Sequence, residues 1–391
     1  MNGFMMYDPT RVLFGAGQLN RLHEQAMPGK RALLVVSNGR SVHENGAFDR
    51  TIKELAHAGV QTVLFDQVQS NPLKSTVMAG AKAARDGGCD FVVALGGGSV
   101  MDAAKIMAMM ATNEGDLWDY VCGGTGKGQP LPNAPLPLVC ITTTAGTGSE
   151  VDQWGVVNNE ETQEKIGCGG LDSLFPVLSI VDPELMVSVP PVFTAYQGFD
   201  ALFHSTEAYI GKGANLMSDM VALTAVENVG KYLVRAVKNG DDLEAREHMA
   251  FANTLSGYSM VTGACVSEHA LEHAMSAYHP NLPHGAGLIM ISLAYYQHFV
   301  DAGCCSERFI RMAQALGLKD ADKPQDFITV LTELQRQCGV DNLKMSGYGF
   351  DVGEFDKIAA NARETMGGLF LADPCELTHA DCVNILKKSY R

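Results

Sequence analysis

The 391-residue sequence predicts an α/β domain built on a parallel sheet, followed by an all-helical domain. Three observations carry this. Short β-branched runs recur about every thirty residues in the first half, and helical stretches lie between them. Strand signals disappear after the Pro190–Pro191 pair. Long segments of helical periodicity then run towards the end of the chain. Near-continuous apolar strands joined by helical crossovers imply a parallel sheet covered on both faces.

RALLVVS (31–37), QTVLFD (61–66) and DFVVALG (90–96) are expected strands. AFDRTIKELAHAG, PLKSTVMAGAKAARDGG and SVMDAAKIMAMMATN are the helical crossovers. PLVCITT (137–143) and VLSIVDP (177–183) add two strands. The Gly- and Pro-rich stretch from Cys122 to Pro137 reads as a loop inside this domain, because strand signals resume after it. Helices are expected over 193–210, 215–238, 241–278, 284–302, 306–317 and 324–338. The division falls near residues 184–191, which gives domains 1–187 and 188–391.

An apolar content of 46% with 19% charged residues is ordinary for a soluble globular protein. The net charge of -15 argues against nucleic acid or anionic membrane as a partner. An anionic cofactor must then be held by local amides and a few cations. No apolar stretch reaches membrane-spanning length, and MNGFMMYDPTRVLF lacks the basic start and apolar run of a signal peptide. A cytoplasmic location is expected. Ten cysteines without a CxxC pair, Cys304 and Cys305 being merely adjacent, read as free thiols in a reducing compartment.

Asp200 and His204 stand four residues apart in PPVFTAYQGFDALFHSTEAYIG, a helical pattern that Gly211 stops. His269 and His273 repeat the spacing in SEHALEHAMSAYH, and His284 follows in LPHGAGLIM. A spacing of four puts both side chains on one helix face, about one turn apart. One carboxylate and several imidazoles on helix faces make a divalent-metal site. His248, His279, His298 and His379 receive a structural reading.

Gly96-Gly97-Gly98-Ser99 lies between a strand and a helix expected to start with Val100. Glycines let the backbone approach an anion, and the helix offers N–H groups at its positive end. The turn is not GxGxxG and belongs to the third strand rather than the first, which speaks against an ordinary Rossmann site. TTTAGTGSE (142–150) supplies a second Gly/Thr-rich loop, with Thr142 and Thr143 at its start. Together the two loops point to phosphate.

In this setting the chain resembles the iron-containing (group III, metal-dependent) alcohol dehydrogenase family, almost end to end. The resemblance is carried by RVLFGAGQL, SNP at 70–72, GGGSVMDAAK at 96–105, TTTAGTGSEV at 142–151, VDPELMVSVPP at 181–191, GFDALFHSTEAY at 198–209 and the histidine-rich stretch to PHGAG at 283–287. Gln197 departs from the family signature, which has Gly, Ser or Thr there. The resemblance implies a dinucleotide-binding α/β domain, a helical metal-binding domain and an active site in the cleft between them, an architecture shared with dehydroquinate synthase.

By the same resemblance Asp200, His204, His269 and His284 are the metal ligands. His273 is then a catalytic group near the nicotinamide and substrate, placed to pass a proton. Asn71, Asp102 and Lys165 join Gly96, Gly97, Gly98, Ser99, Thr142 and Thr143 in binding the cofactor. Trp154, Met260 and Cys265 are expected at the substrate pocket, with Cys265 one turn before His269 and Met260 further up the same helix. The ligand set suits Fe(II) first, and Zn(II), Ni(II) or Mn(II) as well. The strand RALLVVS ends in Ser37-Asn38-Gly39-Arg40-Ser41, with no Asp or Glu to bond a ribose 2′-hydroxyl and with Arg40 to neutralise a 2′-phosphate. NADP(H) is therefore expected over NAD(H). The implied activity is hydride transfer between NAD(P)H and a small aldehyde or primary alcohol, in a homodimer or higher homo-oligomer. The rival is a dehydroquinate-synthase-like lyase, which would need many cations around its pocket.

Overall fold

The computed structural model describes residues 2–391. The chain forms two compact units. One is Tyr7–Ser188; the other is Val189–Arg391 together with residues 2–6. The amino-terminal segment thus groups with the helices and not with the sheet that follows it. Its anchor is the Asn2 side chain, which donates to the carbonyls of Lys212 and Ala214 at 2.6 and 3.1 Å.

In chain order the first unit holds β1 (Arg11–Phe14), a 3-10 helix (Gln18–Glu24), β2 (Arg31–Ser37), α1 (Ser41–Glu44), α2 (Ala47–His57), β3 (Gln61–Val68), α3 (Lys74–Asp86), β4 (Phe91–Gly96), α4 (Gly98–Thr112), α5 (Leu117–Tyr120), β5 (Leu138–Thr142), β6 (Trp154–Asn159), β7 (Glu164–Gly169) and β8 (Leu178–Val181). Six strands form one sheet in the order β1-β8-β5-β4-β2-β3, every pair parallel. The alternation of side chains along a strand divides its interior in two. Leu33, Val35, Val92 and Ala94 face a core with α3 and α4. Ala32, Leu34, Val36 and Val93 face the other, with Leu19 and Leu22 of the 3-10 helix and Leu55 of α2. Both faces are covered, which is why these strands read as unbroken apolar runs.

Three features of this unit differ from expectation. β1 pairs with β8 at the sheet edge, and β6 and β7 form a separate antiparallel hairpin. The four residues of β1 and the polar ends of WGVVNN and EKIGCG carry too little β-branched signal to stand out. In addition, α4 begins at Gly98, inside the glycine turn, and not at Val100.

The second unit is helical throughout, with α6 (Pro191–Ile210), α7 (Leu216–Lys238), α8 (Leu243–Gly263), α9 (Ser267–Tyr278), α10 (His284–Asp301), α11 (Ser306–Ala315), α12 (Gln325–Gln337), α13 (Phe355–Thr365), α14 (Gly367–Ala372) and α15 (His379–Ser389). Pro191 opens α6 at a position where its missing N–H costs nothing. From Thr194 onwards nearly every residue of α6 is buried. Gly198 admits α7 closely: a Cβ there would lie 2.2 Å from Leu233 Cδ1. Asn215 caps α7 through the N–H groups of Met217 and Ser218.

The expected helix over 241–278 is two helices. Ala264 takes φ +69°, and residues 264–266 form a connector. Met260 therefore lies on α8, whereas Cys265 lies in the break before the helix that carries His269. The expectation that every cysteine is a free thiol is also corrected. Cys304, after α10, and Cys375, after α14, form a disulfide with Cα atoms 6.4 Å apart. Seventy-one residues separate them, so spacing alone gave no sign of the pair. Among the described residues no helix is long and apolar enough to cross a membrane.

Candidate active site

The buried face of α6 presents Asp200, His204 and Glu207, at intervals of four and three residues. α9 brings His269, and α10 begins with His284. The three imidazoles converge on one carboxylate oxygen. Asp200 Oδ1 lies 3.4 Å from His204 Nδ1, 3.5 Å from His269 Nε2 and 3.5 Å from His284 Nε2. The rings of His204 and His269 stack with centroids 4.2 Å apart.

Carboxylates hold two of these imidazoles from behind. His269 Nδ1 donates to Glu207 Oε1 at 2.8 Å, and the same carboxylate accepts the backbone N–H groups of His269 and Val266 at 3.1 and 2.6 Å. His284 Nδ1 donates to Glu272, which also accepts from Ser276 Oγ at 2.8 Å. A bond at Nδ1 fixes the tautomer and leaves the Nε2 lone pair for a ligand. Both Nε2 atoms are the ones that face Asp200.

The donor geometry fits a metal ion. Ligand bonds of about 2.0–2.1 Å in a tetrahedron put neighbouring donor atoms roughly 3.3 Å apart. Asp200 Oδ1 and His269 Nε2 are buried and make no hydrogen bond among the described residues. Buried polar atoms without such a partner are costly, and their convergence marks a place for a cation.

The electrostatics agree. Burial pushes the Asp200 carboxyl up, but His204, His284 and His269 outweigh it and hold it at about 2. Burial pulls His269 down, but Glu207 and Asp200 outweigh it and lift the imidazole to about 10. The pocket thus draws positive charge to itself. Burial, then the charge of Glu207, raises Glu268 well above the carboxylate range, and Tyr296 donates to it at 2.5 Å. The start of α9 is tied down by Asp373 Oδ1, which accepts from Ser267 N and Oγ at 3.0 and 2.8 Å.

The other expected residues of this unit fall as follows. His273 is buried one turn along α9, with its ring centroid 6.3 Å from that of His269 and 5.5 Å from that of His284. Its Nδ1 faces Met366 Sδ at 2.9 Å. It stands beside the Asp200 cluster rather than in it. Cys265 comes within 4.8 Å of both His204 and His269 by their ligand atoms. Met260 is partly buried on α8. The sequence reading missed Glu207 and Glu272. Glu207 follows His204 by three residues and Glu272 follows His269 by three, so each shares a helix face with a candidate ligand, a signal that was available in both cases.

In the α/β unit the two expected phosphate loops meet. Thr143 N donates to Gly96 O at 3.0 Å. A Cβ on Gly97 would lie 2.7 Å from Thr144 Cγ2, and one on Gly98 would lie 2.3 Å from Thr147 Cγ2. Close approach, not a positive φ, requires glycine at both positions. Ser99 opens the first turn of α4, which points the positive end of a 15-residue helix at the turn. Thr142 is buried and donates to Thr144 O at 3.0 Å, and Thr143 is also buried. Asn71 is buried with φ +52°.

Asp102 is committed internally. It accepts Ser149 Oγ at 2.7 Å and Val156 N at 3.1 Å. Lys105, which the sequence reading passed over, is fully buried and bonds Asp152, Ser149 and Trp154 O at 2.6, 2.8 and 2.8 Å. This network ties the second loop and β6 to α4. Lys165 is buried on β7, and Trp154 begins β6 half-exposed, its ring against Gly170. Asn38, Gly39, Arg40 and Ser41 follow the end of β2. Asn38 N donates to Val68 O at 2.8 Å, and the exposed Arg40 pairs with Glu44 at 3.3 Å.

A parallel α/β unit with a glycine phosphate turn, and a helical unit with a buried Asp–His cluster, define a metal- and nucleotide-binding oxidoreductase. Residues 9–183 match the iron-containing alcohol dehydrogenase family, and residues 194–390 match the Fe-containing alcohol dehydrogenase family, C-terminal. The chain belongs to the iron-containing alcohol dehydrogenases, and it is an alcohol dehydrogenase. It is 32% identical over 388 residues to alcohol dehydrogenase 4 of Saccharomyces cerevisiae (strain YJM789), with 98% of each chain covered. It is 35% identical over 349 residues to 1,3-propanediol dehydrogenase of Klebsiella pneumoniae, with 86% of this chain and 87% of the relative covered. Among solved structures, an archaeal halo-thermophilic alcohol dehydrogenase from a Red Sea brine pool superposes with a TM-score of 0.94 at 34% identity over 99% of each chain.

Proposed function

We propose that the protein reduces small aldehydes, and oxidises the corresponding primary alcohols, with a nicotinamide cofactor and one divalent metal ion. The observation that carries this is the pair of carboxylate-held imidazoles, His269 on Glu207 and His284 on Glu272, whose Nε2 atoms face Asp200 Oδ1. Asp200, His204, His269 and His284 would hold the ion, Fe(II) first and Zn(II), Ni(II) or Mn(II) by the same donor chemistry. A divalent ion there supplies Lewis-acid polarisation of a carbonyl or alcohol oxygen. Glu207 and Glu272 orient the imidazoles. His273, one turn from His269, passes a proton to or from the substrate oxygen. In the other unit the 96–99 turn, Thr142, Thr143, Asn71 and Lys165 bind the cofactor, and Asp102 holds the second loop in place. Met260 and Cys265 contribute to an apolar substrate pocket on the helical unit, and Trp154 is a substrate-contact candidate on the α/β unit.

For the cofactor, the β2 end supports acceptance of a 2′-phosphate and a preference for NADP(H), because residues 37–41 carry no carboxylate and include Arg40. Two relatives pull the other way: one is named an NAD-dependent methanol dehydrogenase and another a probable NADH-dependent butanol dehydrogenase. Exposed Phe4, Met5 and Met6 support a homo-oligomer. The lyase alternative lacks support: α6, α9 and α10 contain no Lys or Arg to receive an anionic sugar acid.

The test is oxidation of NADH and of NADPH over a panel of short aldehydes, after stripping and reloading with Fe(II) or Zn(II). Metal-dependent oxidation with at least one aldehyde is expected. Absence of oxidation with every aldehyde and both metals would overturn the proposal.

A further inference from the structure

We propose that His23, Glu54 and His57 form a second cation site, on the α/β unit, for a divalent transition metal such as Zn(II). Glu54 and His57 lie three residues apart in the last turn of α2, and His23 lies near the end of the 3-10 helix. One ligand atom from each of the three lies within 4.8 Å of the others. His23 Nδ1 is 2.5 Å from Glu54 Oε2, and His23 N donates to the same oxygen at 3.3 Å. The His23 and His57 rings meet edge to face with centroids 5.7 Å apart.

Three features make this more than a surface hydrogen bond. The Glu54 side chain is only 9% exposed, so its charge is largely removed from water, while the two imidazoles stand at the rim. A buried carboxylate with accessible imidazoles gives a fixed anchor and open positions for water. His57 is also the last residue of α2, where the negative end of the helix favours a cation. Finally, two imidazoles and one carboxylate are the donor set of three-ligand zinc sites, and such nitrogen-rich sets prefer Cu(II), Ni(II) and Zn(II) to Mg(II) or Ca(II).

Such an ion would take the place of the hydrogen bond between His23 Nδ1 and Glu54 Oε2. It would clip the 3-10 helix to α2, whose Leu19, Leu22 and Leu55 share one core. A ligand bound only by the folded state stabilises it by mass action. The site does not depend on the reading at Asp200, because it uses different residues in a different unit.

The experiment titrates Zn(II) into the metal-loaded enzyme against a chromophoric chelator. Wild type, His57→Ala, Glu54→Gln and His269→Ala are compared. Wild type is expected to take up one more equivalent per chain than His57→Ala and Glu54→Gln, whereas His269→Ala keeps that equivalent. Zn(II) should raise the thermal midpoint of wild type more than that of His57→Ala, a variant at an exposed side chain that does not threaten the fold. Equal uptake by wild type and His57→Ala, or loss of the extra equivalent in His269→Ala alone, overturns the proposal.

Discussion

Glu207 Oε1 accepts the Nδ1–H of His269 at 2.8 Å from the same helix that supplies Asp200 and His204. One face of α6 thus provides both a carboxylate beside the His269 Nε2 atom and the carboxylate that aims it. Glu207→Gln keeps an acceptor of similar shape but removes the charge. Partners of this kind change metal affinity by about 10–100-fold when altered. The expected result is a folded protein with metal affinity reduced by that factor, measured by chelator competition. An affinity unchanged from wild type would show that Glu207 only supports the backbone of α9.

Removal of an imidazole should be more severe. In His269→Ala or His284→Ala the Asp200 cluster loses one of its nitrogen donors. Metal content per chain and aldehyde reduction should fall together, while cofactor binding by the α/β unit persists. Full metal and full activity in both variants would remove these histidines from the ligand set.

The cofactor reading rests on a residue that the fold leaves at the surface. Arg40 is 86% exposed and its structural partner is Glu44. Arg40→Asp puts a negative charge where a 2′-phosphate would lie. The NADPH-to-NADH ratio of kcat/KM should drop by about ten-fold, the equivalent of roughly 1.4 kcal/mol. An unchanged ratio makes Arg40 a partner of Glu44 and nothing more.

These residues also show what was legible in the sequence. Asp200 and His204 announce themselves because a helix puts residues four apart on one face. The 96–99 turn announces itself because close approach of Thr144 and Thr147 demands glycine. Glu207 and Glu272 share helix faces with His204 and His269, but their pairing with His269 and His284 is hidden because each partner lies on another helix. β1 is hidden for a similar reason: its partner β8 begins at Leu178, far along the chain. The break before His269 is not legible because Ala264 takes a positive φ with an extended ψ, a conformation that a non-glycine residue seldom adopts. Local periodicity reveals what one element does by itself; these features arise when distant elements meet.

The disulfide is another such meeting. Cys304 and Cys375 close a loop of 71 residues, which in the chain-entropy description stabilises the folded state by about 4 kcal/mol. Cys375→Ser should lower the midpoint of denaturant unfolding, and a dithiol reductant should shift wild type to the same midpoint. Identical midpoints for oxidised wild type, reduced wild type and Cys375→Ser would show that the crosslink adds no stability.

His273 separates proton transfer from metal binding. It lies on α9 one turn after His269, yet its Nδ1 faces Met366 rather than a carboxylate. A neutral thioether is a weaker acceptor than the carboxylate that Glu207 offers His269. An imidazole can both donate and accept a proton, which suits a relay to the substrate oxygen. His273→Ala should therefore keep its metal and lose turnover by about 10²-fold, the contribution of an ordinary general acid. The pH profile of aldehyde reduction should flatten as well, because a titrating group has gone. If His273→Ala loses its metal while His269→Ala retains it, the two histidines exchange roles. If neither metal content nor rate changes, His273 serves packing alone and the proton reaches the product from water.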